Sequence, residues 1–329
     1  MQQELIDKYG RKLDYLRLSV TDRCNFRCYY CMPEEGMNFV QREDLLTYEE
    51  LDYITKIFVN LGVKKIRITG GEPFVRKGIV EFLELLSNNK GLKEITLTSN
   101  GSISKEQIGQ LAILGIRKVN ISLDSLDPQR FHEITRRDKF DEVMSCIDEL
   151  LAQDFNVKLN CVIDGRKNID DIVPFIKLTE KNPLSVRFLE EMPFNGTDNF
   201  EIPEWNYKAL YSHIENHFPE IQKLVDESNS TSINYQVPGY LGSFGIIPAF
   251  SRTFCGTCNR IRLSATGELR TCLYGPPVCN LRDILRSGAG EEGLKSAILS
   301  AVAGKAKDGF EAENLIADGS KNSMSFLGG

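Results

Sequence analysis

Six short runs rich in β-branched and other apolar residues, at 15–20, 65–69, 94–99, 118–123, 157–163 and 185–189, are separated by segments long enough to hold a helix. Stretches such as 47–61 and 140–153 carry apolar residues at three- and four-residue intervals, as amphipathic helices do. Connections of this length suit parallel strands joined by crossover helices, not hairpins. The pattern predicts an α/β domain of six βα units over residues 10–190.

Each run also alternates, whereas strands buried on both faces usually read as continuous apolar stretches. One parity holds Leu16, Leu18, Ile66, Ile68, Ile95, Leu97, Val119, Ile121, Val157, Leu159, Val186 and Phe188; the other holds Arg17, Ser19, Arg67, Thr69, Thr96, Thr98, Asn120, Ser122, Lys158, Asn160 and Arg187. The apolar parity would pack under the helices and the polar parity would line the inside of a barrel. A lumen carrying Arg17, Arg67, Lys158 and Arg187 is a costly core unless something anionic fills it.

After residue 193 the pattern changes to a Pro/Asn/Gly-rich connection. A helix over 204–217, strands at 231–237 and 243–247, and helices at 281–286 and 291–302 are expected beyond it. The chain is thus divided into a barrel over 1–193 and a C-terminal α+β region over 194–329.

With 40 Lys plus Arg against 46 Asp plus Glu the net charge is −6, so no general field gathers nucleic acid or an anionic membrane, and a polyanion must be held locally. No apolar run approaches the ~18 residues of a membrane helix, and the first residues lack the apolar segment of a signal peptide. A cytoplasmic protein is expected. There the 9 cysteines would be reduced, which favours metal or redox chemistry over disulfides.

Cys24, Cys28 and Cys31 form a C-x₃-C-x₂-C group just past the first strand, where βα loops of barrels carry active sites. Three thiolates can hold three irons of a [4Fe–4S] cube and leave the fourth open. Directly after the second strand stands Gly70-Gly71-Glu72-Pro73, whose glycines admit close ligand approach and whose glutamate can accept hydrogen bonds from an ammonium. In these residues the sequence resembles the radical S-adenosylmethionine (SAM) superfamily, a resemblance that implies a partial six-unit βα barrel, a SAM-binding [4Fe–4S] cluster and a 5′-deoxyadenosyl radical.

Cys255, Cys258 and Cys272 give C-x₂-C-x₁₃-C, with Cys279 seven positions on. A zinc ribbon and a second three-thiolate cluster both fit this spacing. Arg260 and Arg262 alternate on an expected strand directly after the pair, so both forks face one side and suit phosphate oxygens. No Walker-type loop is present, which leaves side chains to hold any phosphates.

The segments SVTDRCNFRCYYCMP, TGGEP and FCGTCNRIRLSATGELRTCLY, with a terminal Gly328-Gly329, closely resemble the GTP 3′,8-cyclase family of molybdenum cofactor biosynthesis. The resemblance implies two [4Fe–4S] clusters, held by Cys24, Cys28 and Cys31 and by Cys255, Cys258 and Cys272, with Cys279 not a ligand. It implies SAM contacts from Tyr30, Gly70, Gly71, Glu72, Ser122 and Met192, and GTP contacts from Arg17, Arg67, Thr98, Lys158, Arg260, Ile261 and Arg262. Arg17, Arg187, Gly328 and Gly329 are the expected catalytic groups. The implied partners are GTP, a reductant protein such as flavodoxin or ferredoxin, the downstream cyclic pyranopterin monophosphate synthase and a second copy of the chain.

Family members commonly carry Lys-Pro-x-x-His before the tail, where this chain has Gly304-Lys305-Ala306-Lys307-Asp308-Gly309, so the correspondence over 303–322 is loose. Cys146 and Cys161 are expected to be buried, inert thiols, and His132, His213 and His217 ordinary surface or helix residues. Two rival readings are a peptide-modifying radical SAM maturase and a zinc-ribbon protein that binds nucleic acid; the acidic charge opposes the latter.

Overall fold

The structure is a computed structural model, and it describes residues 4–32, 37–192 and 204–316. All six expected strands form: β1 (Tyr15–Ser19), β2 (Lys65–Thr69), β3 (Glu94–Ser99), β4 (Lys118–Ser122), β5 (Asn156–Ile163) and β6 (Ser185–Glu190). They pair in sequence order, every pair parallel. The helices α1 (Tyr48–Asn60), α2 (Ile79–Ser87), α3 (Lys105–Ile113), α4 (Pro128–Thr135), α5 (Phe140–Ala152) and α6 (Ile172–Leu178) lie between them in the chain.

Local chemistry sets the helix starts. Thr47 and Ser104 close reciprocal capping boxes with Glu50 and Gln107, and Asp127 caps α4 ahead of Pro128. Leu51, Ile54, Ile57 and Phe58 of α1 pack onto the apolar parity of the strands, where Leu16, Leu18, Ile66, Ile68, Val119 and Leu159 are all fully buried. The polar parity faces the other way, as the alternation requires.

The remainder is α7 (Tyr207–His217), β7 (Gln222–Lys223), β8 (Ile233–Gln236), β9 (Ser243–Ile247), β10 (Arg260–Leu263), β11 (Glu268–Arg270), β12 (Cys279–Asn280), α8 (Leu281–Arg286), α9 (Gly290–Ala303) and α10 (Gly309–Glu313). These strands extend the first sheet instead of building a separate one. β10 pairs parallel with β1 and β9 pairs parallel with β6, and antiparallel strands continue from both, giving the order β12-β11-β10-β1-β2-β3-β4-β5-β6-β9-β8-β7. The six-strand expectation therefore undercounts the parallel part of the sheet, because alternation in a sequence reveals a strand's faces but not its neighbours. Among the described residues no helix is long and apolar enough to cross a membrane.

Candidate functional site

The first cysteine group begins where β1 ends. Turn hydrogen bonds from Cys31 N and Met32 N to Cys28 O, both 2.9 Å, wrap the loop around itself. Arg27 N and Tyr29 N donate to Thr135 O and Ile134 O, which pins the loop to the end of α4. The three thiols lie near enough to feel one another's charge. Burial pushes Cys24 up to about 12, against hydrogen bonds from Phe26 N and Asn100 Nδ2, and burial beside Asp124 raises Cys28 as well.

Gly70 and Gly71 are required by the approach of this loop. Gly71 N donates to Thr21 O (2.7 Å) and Glu72 N to Arg23 O (2.8 Å), which stitches the β2 loop to the residues entering the cysteine group. A Cβ on Gly71 would stand 2.3 Å from Arg23 O, and one on Gly70 2.7 Å from Thr21 O. Glu72 is fully buried, and both carboxylate oxygens accept a bond from Ser99 Oγ, with Phe74 N and Asn100 N added. Burial holds its carboxyl up to about 7 despite these bonds. Its carboxylate braces the β2 and β3 loops in this structure.

The second cysteine group lies by the opposite strand ends. Cys258 stands two residues before β10, whose first residue, Arg260, is opposite Tyr15 at the start of β1; the first group follows the end of β1. Adjacent parallel strands thus run from one group toward the other, and the five residues of β1 span about 16 Å. Cys255 senses Cys272 and Cys258, whereas Cys279, on β12, responds to burial alone. Burial would raise Cys258, but Arg260 and Lys305 overcome it and bring the thiol down to about 6. Among the described residues no group of three or more His, Cys, Asp or Glu is gathered as a single metal ion requires.

Between the two groups lies a band of cations on the polar parity. Arg262, Arg17 and Arg67 are direct register partners on β10, β1 and β2. Arg67 donates to Tyr15 Oη (2.5 Å) and Thr98 Oγ1 (3.3 Å). Burial raises the Tyr15 phenol, but Arg67, Arg17 and Lys65 together bring it down to about 8. On the far side Lys158 and Arg187 line a cavity of 380 Å³ at the starts of β5, β6 and β9, with the acidic Glu227 and with Ser185, Ser243, Asn234 and Gln236. Neither cysteine group reaches that cavity. Among the described residues the Nε atoms of Arg17 and Arg187 and Oδ1 of Asn160 are buried without hydrogen-bond partners. Burial, then mutual repulsion, lowers Arg187 and Arg262 to about 10 and Lys158 to about 8, and Arg17 further. Glu227 offsets part of the charge of Lys158 and Arg187, and the buried excess of cations that remains suits a compact polyanion.

Other expected residues are more varied in placement. Ser122 sits half-buried at the end of β4 opposite Asn160. Ile261 is fully buried on the apolar parity, so only its backbone can face a ligand. Met192 Sδ accepts a bond from Tyr274 Oη (3.4 Å), two residues past Cys272, and so lies beside the second group. Gly328 and Gly329 fall outside the described residues. Cys146 and Cys161 are buried in the core.

Two residues escaped the sequence reading. Lys305 is 2% exposed, and its ammonium contacts the carbonyls of Thr271 and Arg260 and lies 3.9 Å from Cys258 Sγ, which ties the atypical 304–309 stretch to the second group. Arg252 is sandwiched between the rings of Tyr274 (3.9 Å) and Phe310 (4.5 Å) and pairs with Glu313, holding α10 against the same loop. Neither has a sequence signal, because a Lys or Arg in a polar stretch reads as solvated.

The Radical SAM superfamily profile matches residues 18–179, and the Molybdenum Cofactor Synthesis C profile matches residues 184–310. A protein of Arabidopsis thaliana named GTP 3′,8-cyclase, mitochondrial is 43% identical over 305 residues, covering 91% of this chain and 77% of that protein. GTP 3′,8-cyclase of Peptoclostridium acidaminophilum is 41% identical over 308 residues, covering 92% and 93%. Molybdenum cofactor biosynthesis protein 1 of Bos taurus is 43% identical over 308 residues, and the chain spans 48% of that longer relative. Among solved structures, Streptococcus suis SuiB superposes with a TM-score of 0.60 at 13% identity, over 81% of this chain and 62% of SuiB, a likeness of fold alone. By its matched profiles and by relatives that it parallels over most of their length, the chain belongs to the GTP 3′,8-cyclase family of the radical SAM superfamily.

Proposed function

We propose that this chain is a radical SAM lyase that converts GTP to (8S)-3′,8-cyclo-7,8-dihydroguanosine 5′-triphosphate, the first step of molybdenum cofactor biosynthesis. The observation that carries the reading is the register of Arg262, Arg17 and Arg67 on three adjacent parallel strands that run between the two cysteine groups. Cys24, Cys28 and Cys31 would hold one [4Fe–4S] cluster with its SAM, and Cys255, Cys258 and Cys272 in the C-terminal region would hold the other. Three thiolates and no hard oxygen donor suit iron–sulfur ligation. When bound and reduced, the SAM-side cluster would supply the electron that cleaves SAM to methionine and a 5′-deoxyadenosyl radical; that radical would take hydrogen from ribose C3′, C3′ would join C8 of the purine, and one further electron from the reductant, with a proton, would complete the dihydro product.

The chain's own residues bind, orient and exclude water. Tyr30, Ser122 and the Gly70-Gly71 backbone frame the SAM side; family likeness assigns Met192 to it as well, two residues past the end of β6, while its contact with Tyr274 ties it to the second cysteine loop. Arg17, Arg67, Lys158, Arg187 and the Arg260–Arg262 segment take the triphosphate, and their charge acts strongly because the strands and helices around them keep the dielectric low. Holding both ends of the nucleotide fixes C3′ against the approaching radical, which is where most of the rate advantage of a preorganised site arises. Gly328-Gly329 is assigned a place in the site by family likeness. A flavodoxin- or ferredoxin-type reductant, the downstream synthase, a homodimer, a cytoplasmic setting and a division at residues 193/194 belong to the same reading.

Protein reconstituted anaerobically with iron and sulfide is expected to hold two clusters, and with reductant, SAM and GTP to form 5′-deoxyadenosine only when GTP is present. Stoichiometric zinc without sulfide, or turnover with peptides and not with GTP, would overturn it.

The depressed Lys158 gives a pH signature. Below about 8 the ammonium is charged before the nucleotide arrives, so binding takes up no proton there. A bound triphosphate favours the charged form, so above that pH binding must take up a proton, and affinity falls as pH rises, by at most tenfold per unit. GTP dissociation constants measured from pH 6 to 10 should stay flat and then climb. Lys158→Arg, charged throughout, should make the upper limb shallower and leave the share of the Tyr15 phenol, which loses its proton in the same range; a wild-type curve that stays flat to pH 10 removes Lys158 from the phosphate site.

A further inference from the structure

Between Cys28 and Cys31 stand two tyrosines whose phenols are tied to different strand ends. Tyr29 donates to Asp164 Oδ2 (2.6 Å), past the end of β5, and Tyr30 donates to Asp124 Oδ2 (2.6 Å), past the end of β4. Their rings meet edge to face, with centroids 5.5 Å apart and planes at 84°. Lys167 Nζ lies 4.1 Å from the centre of the Tyr29 ring, so one face of that ring is already covered.

Asp124 is 4% exposed and has no freedom to drift. Its Oδ1 accepts from Val162 N (2.8 Å) on β5, and its carbonyl accepts from Asn168 Nδ2 (2.8 Å). The same Asn168 amide donates to Val162 O (2.8 Å), and Asn168 Oδ1 accepts from Asp164 N (2.9 Å). The ends of β4 and β5 are thereby locked into one unit, and Asp124 is the group through which that unit reaches Tyr30. Ser122, on the SAM side, is two residues before Asp124 in the same strand end.

We propose that Asp124 is a positioning residue for SAM: it fixes the Tyr30 ring by its phenol, in register with Ser122, so that ring and hydroxyl present one preformed surface to the cofactor. The inference rests on the assignment of Tyr30 and Ser122 to the SAM side. Asp124 itself touches no ligand; it lowers the entropy lost when Tyr30 is ordered around one. The paired Tyr29–Asp164 contact holds the loop to the end of β5.

The test uses the reconstituted holoenzyme with Tyr30→Phe, Asp124→Asn, the double variant and Tyr29→Phe. Asn at 124 keeps an oxygen for Val162 N and turns an amide donor toward Tyr30 Oη, which can accept it, so the charge-assisted bond becomes a weaker neutral one; Tyr30→Phe removes it outright, together with the phenol's bond to Cys28. Tyr30→Phe should raise KM for SAM about tenfold and Asp124→Asn by a smaller factor, with KM for GTP unchanged in both and iron content unchanged in Asp124→Asn. The double variant should be no worse than Tyr30→Phe, because without the phenol Asp124 has no hold on the ring. Tyr29→Phe should leave KM for SAM at the wild-type value. Multiplying effects in the double variant, equal shifts in both KM values, or a Tyr29→Phe defect as large as that of Tyr30→Phe would overturn the proposal. A wild-type enzyme whose turnover does not depend on SAM would remove the SAM assignment and this inference together.

Discussion

Gly71→Ala is expected to yield a protein that keeps iron at the second cysteine group and loses it at the first. The added methyl would stand 2.3 Å from Arg23 O, 2.6 Å from Arg23 C and 2.8 Å from Asp22 O, all main-chain atoms that cannot swing aside. Relief requires Asp22 and Arg23 to retreat, which lengthens the bonds from Gly71 N to Thr21 O and from Glu72 N to Arg23 O and displaces Cys24, the next residue. Overpacking against backbone belongs at the upper end of the usual range, about 3 kcal/mol. Iron and sulfide content per chain, the cluster signals of the reduced protein and a denaturant titration check this. Gly109→Ala is the matched control: it lies in α3 with nothing within 4 Å of its Cβ, so it should stabilise by about 0.5–1 kcal/mol. Full iron loading in Gly71→Ala would mean that the loop junction is not what shapes the first cysteine group.

The six βα units were readable because each strand carries a period of two between helix-forming stretches, and the core obeys that parity: Leu16, Leu18, Ile66 and Ile68 are fully buried while Arg17 and Arg67 face the lumen. The two cysteine groups stand out by their spacing, which for the second one leaves a zinc ribbon and a three-thiolate cluster both open. The spatial relation of the two groups was not readable, because it depends on the pairing of β10 with β1. That pairing turns the Arg260-x-Arg262 pattern into a cationic row, since Arg262 becomes the direct neighbour of Arg17. Long-range polar partners were equally hidden. Glu72 carries buried bonds from Ser99 and Asn100, across a βα connection, that no spacing in the sequence announces. Asp124, Arg252 and Lys305 are ordinary charged residues in the sequence; only burial beside a specific partner distinguishes them.

Arg17→Met should move stability and affinity in opposite directions, a combination that separates a ligand-binding cation from a structural one. In the unliganded fold Arg17 faces Arg262 and Arg67 in register, and its Nε is sealed without an acceptor among the described residues. Burial first, then repulsion from Arg262, Arg67 and Arg260, pushes its proton affinity well below the ordinary guanidinium value, so the charge is a cost the empty protein carries. Methionine fills similar volume without that cost, and the nucleotide-free holoprotein should gain ~1–4 kcal/mol and melt at a higher temperature. The same change leaves a phosphate oxygen unpaired in a desolvated site. GTP binding should weaken by ~2–5 kcal/mol, about thirtyfold to a few thousandfold, and the nucleotide should no longer raise the melting temperature. Iron content should be unchanged, since Arg17 lies in mid-strand, away from either thiol group. A variant that melts lower and binds GTP as before would show that Arg17 is held by a partner within the fold, and the cationic band would then have no claim to the triphosphate.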